Sequence, residues 1–71
     1  MEGDLQKAVG RNLRRYREGL GLSQEEFAEK LGLHRTYIGG VERGERNLTL
    51  RSVERFAEAT SVPVLDLLNS A

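Results

Sequence analysis

The sequence predicts an all-α fold, a compact five-helix domain without strands. Apolar residues recur at intervals of three and four within five short segments, which is typical of helices with one buried face. Glycines and helix-capping residues separate these segments. The chain has 71 residues and no stretch with the composition of a linker, so we expect one domain over residues 1–71.

The first two helices are bounded by glycines and by a capping motif. The first is predicted over residues 4–18, and Gly19 and Gly21 mark its end, one of them in the left-handed conformation that helix C-termini favour. The residues expected on its buried face are Leu5, Val9, Leu13 and Tyr16. The second is predicted over residues 24–31, before Gly32, because a capping box precedes it. That box is formed by Ser23 and Glu26.

The last three helices begin at caps of different kinds. His34 is the expected N-cap of the third helix, which is predicted to end at Gly44. Thr49 caps the fourth, and Pro63, which is favoured in the first turn of a helix, opens a fifth that runs through Leu68. The stripe expected to be buried on the fourth helix is Leu50, Val53, Phe56 and Ala57.

The second and third helices have the spacing of a helix-turn-helix. The apolar and small residues in this register are Phe27, Ala28, Leu31, Gly32, Leu33, Ile38 and Val41. In this motif two helices lock together at a steep angle around a turn of three or four residues. Arg35, Thr36 and Tyr37 then lie at the start of the second helix of the pair, the part that meets base edges when such a helix enters the major groove of DNA.

The charge distribution is more informative than the net charge. With 11 basic and 11 acidic residues the net charge is zero, whereas DNA-binding domains are usually basic. However, residues 34–55 carry five arginines against three glutamates, and the acidic excess lies in residues 23–33 and 56–71. The five arginines are Arg35, Arg43, Arg46, Arg51 and Arg55. Positive charge is therefore collected where the two-helix motif would meet a duplex.

The start of the third helix offers the groups expected to read bases. The planar guanidinium of Arg35 matches O6 and N7 of guanine, while Thr36 offers a methyl or a hydroxyl group and Tyr37 a ring and a phenol. The alternative is a solvated turn whose tyrosine packs on the core. Gln24 and Ser52 lie in the first turns of other helices, where unpaired backbone N–H groups favour a phosphate.

Charged residues and two glycines surround the end of the third helix. Arg43, Arg46 and Asn47 are suited to phosphates or to a minor-groove edge, unless this is only a solvated loop. Gly39 and Gly40 each cost roughly 1 kcal/mol in a helix interior. We expect their missing side chains to permit close approach to the groove or to the second helix; the alternative is a helix that frays before them.

Arg17 and Glu42 are predicted to form an ion pair that joins the first helix to the end of the third. A partly buried pair is weak evidence of net stability, yet removal of one partner leaves the other charge unpaired. We therefore assign this pair to the scaffold and not to ligand binding.

An enzyme is not expected. The chain has one histidine, His34, and no cysteine, so neither a catalytic triad nor a His-rich or thiolate metal site can be assembled. We expect no cofactor and no small-molecule ligand. The absence of cysteine, of a signal peptide and of a long apolar stretch predicts a soluble cytoplasmic protein without a membrane partner.

The chain resembles the Cro and phage-repressor type (XRE-like) of helix-turn-helix regulators, and most closely the controller proteins of restriction-modification systems. The similarity covers residues 9–68 and is carried by LSQEEFAEKLGLHRTYIGGVERGERNLTL, in which HRTYIGGVERGERN is the more specific part. The resemblance implies a homodimer that binds double-stranded DNA at a (pseudo)palindromic operator to repress or activate transcription. Controllers act on their own gene and on the endonuclease gene, and an activator would also contact RNA polymerase.

The resemblance also implies roles for individual residues. Arg35 and Thr36 match base-reading positions, and Arg46 matches one that reaches a base or the minor groove. The positions that match backbone contacts are Gln24, Tyr37, Arg43, Asn47 and Ser52. Gly40 departs from the phage repressors, which often carry a long polar side chain there, so base readout should be narrower or depend more on DNA deformability. Leu65 also departs, because many relatives carry an acidic residue at that position.

The fifth helix has more apolar surface than a short terminal helix can bury. Its four apolar residues span about 160° of arc at 100° per residue. We expect Val64, Leu65 and Leu68 to form a C2 dimer interface with the end of the fourth helix, which would place two recognition helices about 34 Å apart. The alternatives are an antitoxin or other protein-interaction module that uses this surface for a foreign partner, and a phage-type repressor.

Overall fold

Five helices make up the part of the chain that the computed structural model describes, residues 3–70, and this part contains no strand. The helices are α1 (Asp4–Gly19), α2 (Gln24–Leu31), α3 (Arg35–Glu42), α4 (Leu50–Thr60) and α5 (Val64–Leu68). The predicted all-α fold class is therefore confirmed. α3 ends two residues earlier than expected, because Gly44 adopts a left-handed conformation with a φ of 73° and lies beyond the helix. None of the helices in residues 3–70 has the length and apolar character needed to cross a membrane.

The predicted capping box of α2 is confirmed. Oγ of Ser23 accepts a hydrogen bond from the backbone N–H of Glu26 at 3.0 Å, and Oε1 of Glu26 accepts one from the backbone N–H of Ser23 at 2.8 Å. The bond from the Ser23 backbone holds the pKa of Glu26 below its ordinary value, because it favours the charged carboxylate. Gly32 ends the helix with a φ of 72°. Local interactions thus fix both ends of α2.

α3 and α4 begin at the expected caps. Nδ1 of His34 accepts a hydrogen bond from the backbone N–H of Thr36 at 3.1 Å, and Oγ1 of Thr49 accepts one from the backbone N–H of Ser52 at the same distance. Each bond satisfies one of the N–H groups that a helix start leaves without an intrahelical partner. The single histidine of the chain therefore has a structural role at the start of α3.

One hydrophobic core holds the helices together. Its buried members are Val9, Leu13, Phe27, Ala28, Ile38, Val41, Leu48, Val53, Phe56 and Leu67. α1 packs against α3 and α5, α2 packs against α3, and α4 packs against α5. α3 is therefore held in the core by two helices, α1 and α2.

Two leucines that were expected in the core are exposed. Leu5 is 49% exposed and Leu50 is 61% exposed, and each lies in the first turn of its helix. Leu48, in the preceding loop, is buried where Leu50 was expected. Beside Leu5, the side chain of Gln6 faces the loop after α3: its Nε2 donates to the carbonyl oxygen of Gly44 at 2.8 Å, and its Oε1 accepts from the N–H of Leu48 at 3.3 Å. This pair of bonds turns Gln6 inward and leaves Leu5 in solvent.

The backbones of α1 and α3 approach each other closely at Gly10 of α1. A Cβ atom at this position would lie 2.3 Å from the carbonyl oxygen of Val41 and 2.9 Å from that of Glu42. Both are backbone atoms near the end of α3, so they cannot swing away as a side chain could. Gly10 therefore allows α1 to pack directly on α3.

Candidate nucleic-acid interface

The first turn of α3 presents exposed polar side chains. Arg35 and Thr36 are both exposed. The side chain of Arg35 is 67% exposed, and its Nη1 lies 3.7 Å from Oε2 of Glu25, whose side chain is 74% exposed. Such a long and exposed ion pair constrains the arginine only weakly. The guanidinium is thus available to a ligand that approaches the start of α3.

A shallow depression joins the start of α2 to the exposed face of α3. It is lined by Gln24, Arg35, Thr36, Gly39 and Arg43. All of these residues except the glycine were predicted from sequence to contact DNA. Gly39 lies beneath two of these side chains, since a Cβ atom there would be 3.1 Å from Nη1 of Arg43 and 3.3 Å from Oε1 of Gln24. The missing side chain therefore lets Arg43 and Gln24 converge.

The half-buried side chain of Gln24 is oriented by Glu42. Nε2 of Gln24 donates a hydrogen bond to Oε1 of Glu42 at 3.1 Å. Its amide nitrogen thus faces the interior of the domain, and its oxygen lies near Arg43. An anion in the depression would meet the Arg43 guanidinium and the N-terminal N–H groups of α2 before it met this amide nitrogen.

Glu42 also accepts the side chain of Arg17. Nε of Arg17 lies 2.8 Å from Oε2 of Glu42 and Nη2 lies 3.0 Å from Oε1, so the pair is bidentate. The hydrogen bond to Glu42 raises the pKa of Arg17. A third bond, from Nη1 of Arg17 to the carbonyl oxygen of Leu22, is 2.8 Å long. This network lies away from solvent and joins α1, the turn before α2, and α3.

Tyr37 packs on the core, as the alternative interpretation of this residue expected. Its half-buried ring is 6.3 Å from that of Phe56, with an interplanar angle of 14°. Cζ of Arg46 lies 4.9 Å from the Tyr37 ring centroid, which is a cation–π distance. The tyrosine ring thus supports the arginine that follows α3.

The space at Gly40 is taken by Arg46 and not by α2. A Cβ atom at Gly40 would lie 2.8 Å from Cγ of Arg46 and 3.1 Å from its Cδ. The glycine pair was expected to permit close approach to the groove or to the second helix. For Gly40 the prediction of an approach to the second helix is wrong, because Arg46 fills that space. The helix does not fray at the glycines either, because α3 continues to Glu42. Gly40 provides a path for the arginine side chain across α3.

The remaining expected phosphate contacts do not meet in the depression. Arg43, which does line the depression, forms an exposed ion pair through its Nε with Oε1 of Glu45 at 2.9 Å. Asn47, by contrast, is exposed in the loop before α4. Ser52 is half-buried, with its Oγ 3.1 Å from Oγ1 of Thr49. It lies beside Tyr37 in a separate groove of about 260 Å³, which is lined by Leu31, Leu33, Tyr37, Ser52, Arg55, Phe56 and Ala59.

α5 places the three expected interface residues at different depths. Leu65 is 79% exposed, while Val64 and Leu68 are half-buried and Leu67 lies in the core. Asn12 of α1 holds the end of this helix, because its Nδ2 lies within hydrogen-bond distance of the carbonyl oxygens of Asp66, Leu67 and Asn69, at 3.0, 2.8 and 2.8 Å. No pattern in the sequence pointed to this long-range contact.

The chemistry of the depression suits a duplex. It presents guanidinium, amide and hydroxyl groups, which bind phosphate oxygens and base edges. Across residues 3–70, no group of three or more His, Cys, Asp or Glu side chains is placed so that it could hold a metal ion. The guanidinium, amide and hydroxyl groups of the depression favour recognition of a polyanion.

Comparison with known proteins identifies the family. The helix-turn-helix family model matches residues 13–67. Control protein C.SmaI of Serratia marcescens is 53% identical over 64 residues, which are 87% of this chain and 76% of that protein. Control protein C.BamHI of Bacillus amyloliquefaciens is 37% identical over 70 residues, or 97% of this chain and 86% of that protein.

A solved structure of a controller protein is also similar to this chain. The restriction-modification controller protein C.AhdI from Aeromonas hydrophila superposes with a TM-score of 0.73 at 42% sequence identity. The match covers 87% of this chain and 94% of that one. The chain therefore belongs to the XRE-like helix-turn-helix family of DNA-binding transcription regulators, together with the controller proteins of restriction-modification systems.

Proposed function

We propose that the protein binds a (pseudo)palindromic operator as a homodimer and that it is the controller protein of a restriction-modification system. It would act in the cytoplasm on its own gene and on the endonuclease gene, and would also contact RNA polymerase if it activates transcription. The observation that carries this proposal is the depression between α2 and α3, where Gln24, Arg35, Thr36 and Arg43 meet. The identity of 53% to control protein C.SmaI supports the subclass.

Base recognition is assigned to Arg35, Thr36 and Arg46. Arg35 and Thr36 are exposed in the first turn of α3, which is the part of a recognition helix that reaches base edges. Arg46 crosses α3 at Gly40 and ends above Tyr37. Arg46 itself lies in the loop after α3, and its side chain runs back along the helix to Tyr37, which suits a base or a minor-groove edge beside α3.

Backbone recognition is assigned to Gln24, Tyr37, Arg43, Asn47 and Ser52. Gln24 and Arg43 converge over Gly39, so a phosphate there would meet a guanidinium and the start of a helix together. Tyr37 has its ring against Phe56, which leaves its hydroxyl group for a phosphate oxygen. These contacts position the protein on the duplex but carry no sequence information directly.

Dimer formation is assigned to α5. Leu65 is 79% exposed, and the half-buried Val64 and Leu68 lie on the same short helix. The domain measures 26 × 21 × 20 Å, so two copies in contact have centres about 20–26 Å apart. Successive major grooves are about 34 Å apart. To match this spacing, each α3 needs to lie only a few ångströms further from the two-fold axis than the centre of its own protomer.

Salt dependence tests the DNA partner. Each phosphate contact contributes about 0.9 to the slope of log affinity against log salt, because it releases a counterion. We expect a steep loss of affinity for a palindromic duplex between about 50 and 200 mM salt. Arg43→Ala should reduce this slope by about 1. It should also lower the affinity for cognate and random duplexes equally. An affinity that does not change with salt would contradict the proposal.

A further inference from the structure

Both arginines of the depression are paired with a carboxylate. Arg35 lies 3.7 Å from Glu25, and Arg43 lies 2.9 Å from Glu45. All four side chains are more than half exposed. Two negative charges therefore stand at the surface that is proposed to meet DNA, although they oppose binding to any duplex. These carboxylates help to explain why the chain has a net charge of zero.

The geometry at Arg35 leaves part of its guanidinium unused. It is Nη1 of Arg35 that faces Oε2 of Glu25. A guanidinium has five N–H donors in one plane, so Nη2 and Nε can still form two parallel hydrogen bonds along another edge. Guanine accepts such a pair at O6 and N7. Arg35 could therefore bridge Glu25 and a guanine at the same time.

We infer that Glu25 is a positioning residue that raises sequence specificity modestly through Arg35, an inference that rests on the proposed function. On a duplex with guanine at the right place, Arg35 lies between the Glu25 carboxylate and the base, and its charge offsets the repulsion between Glu25 and the phosphates. On other sequences Arg35 has no such base partner. There a phosphate contact by Arg35 would break its pair with Glu25 and leave the carboxylate unpaired beside the DNA, so Glu25 weakens binding to random DNA more than binding to cognate DNA.

Glu45 provides a matched comparison. It pairs with Arg43 through Nε at 2.9 Å, and Arg43 is proposed to bind a phosphate. Every duplex offers phosphates, so the effect of Glu45 is the same on cognate and on random DNA. Glu25→Gln and Glu45→Gln remove the same charge from exposed side chains, and only the first is expected to change specificity.

The test compares two duplexes of equal length at one salt concentration. One is the duplex that the wild-type protein selects from a random pool, and the other has a random sequence. We expect Glu25→Gln to bind the random duplex about threefold to fivefold more tightly, the upper range for one exposed ion pair, and the selected duplex within about twofold of wild type. Glu45→Gln should tighten both equally, and Glu25→Asp should keep a wild-type ratio.

Four results would overturn the inference. They are an unchanged affinity ratio in Glu25→Gln, a loss of affinity for the selected duplex alone, an equal fall of the ratio in Glu45→Gln, and a wild type that does not distinguish the two duplexes. The second result would make Glu25 a direct base contact. The fourth would refute the proposed function as well, whereas the first three leave it standing.

Discussion

Gly10 shows how one residue determines the packing of two helices. A glycine in a helix interior costs roughly 1 kcal/mol, so its presence there requires a compensating interaction. At Gly10 the compensation is direct contact between α1 and the carbonyl oxygens of Val41 and Glu42. The same reasoning was applied from sequence only to Gly39 and Gly40. The nearest atoms there belong to side chains: those of Arg43 and of Gln24 of α2 at Gly39, and that of Arg46 at Gly40.

We expect Gly10→Ala to destabilise the protein by about 2–3 kcal/mol, because its methyl group would displace two backbone carbonyls. Gly19→Ala is the matched control. Gly19 is also in α1 but has no atom within 4 Å of an added Cβ, so alanine should stabilise the helix by up to about 1 kcal/mol. Urea denaturation of both variants measures the difference. Equal effects of the two changes would contradict close packing at Gly10.

At the scale of elements, α2 is defined by its own ends. Ser23 and Glu26 exchange two hydrogen bonds at its start, and Gly32 turns the chain toward α3. Because these interactions are local, they could be predicted from sequence. They matter for recognition, since the same helix start carries Gln24 at the depression.

The capping box predicts a pH dependence of stability. The pKa of Glu26 is lower in the folded protein than its ordinary value of 4.5. At pH values between these two pKa values, the unfolded chain therefore binds more protons than the folded protein. The stabilisation is fully present above pH 4.5 and is lost as the pH falls through the folded-state pKa. We expect the wild type to exceed Glu26→Gln in free energy of unfolding at pH 7, and the gap to close in acid. Urea denaturation between pH 3 and 7 measures this, and a constant gap would contradict it.

The limits of prediction lie where elements meet. Apolar periodicity marked the buried faces but not where a neighbouring helix ends, so Leu5 and Leu50 were placed in the core although they are exposed. Gln6 and Asn12 were missed, because their partners lie 38 to 57 residues away along the chain. Polar contacts of this kind leave no pattern in a single sequence.

The candidate site was predictable in part for the same reason. The helix-turn-helix spacing placed Arg35 and Thr36 at an exposed helix start, which depends on local structure. The meeting of Gln24 and Arg43 over Gly39 depends on how α2 packs on α3, and this angle is set by the core. The contact of Arg46 with Gly40 likewise depends on the path of the loop after α3, so it could not be predicted from local sequence.

At the scale of the whole molecule, α3 and α5 are separate contacts of α1. The exposed Leu65 lies on α5, not on the helix proposed to enter the groove. A second copy could therefore bind at α5 while α3 remains available to DNA. An isologous contact there would give the operator the same two-fold symmetry as the protein.

We expect Leu65→Ser to convert a dimer into a monomer, because it removes the most exposed leucine of the proposed interface. Leu50→Ser is the control: Leu50 is also highly exposed but lies in the first turn of α4, so the dimer should persist. Size-exclusion chromatography with light scattering at micromolar concentration distinguishes the two species. A wild-type monomer would refute the homodimer and favour a foreign partner at this surface, as in an antitoxin.

The most direct test of base reading by α3 is a selection of bound duplexes from a random pool, run with the wild type and with Arg35→Ala. We predict that the wild type recovers a palindrome with half-sites about 10 base pairs apart. The variant should recover the same spacing with one position in each half-site no longer fixed. No enriched sequence with the wild type, or the same fully fixed sequence with Arg35→Ala, would contradict operator reading by α3 of a homodimer.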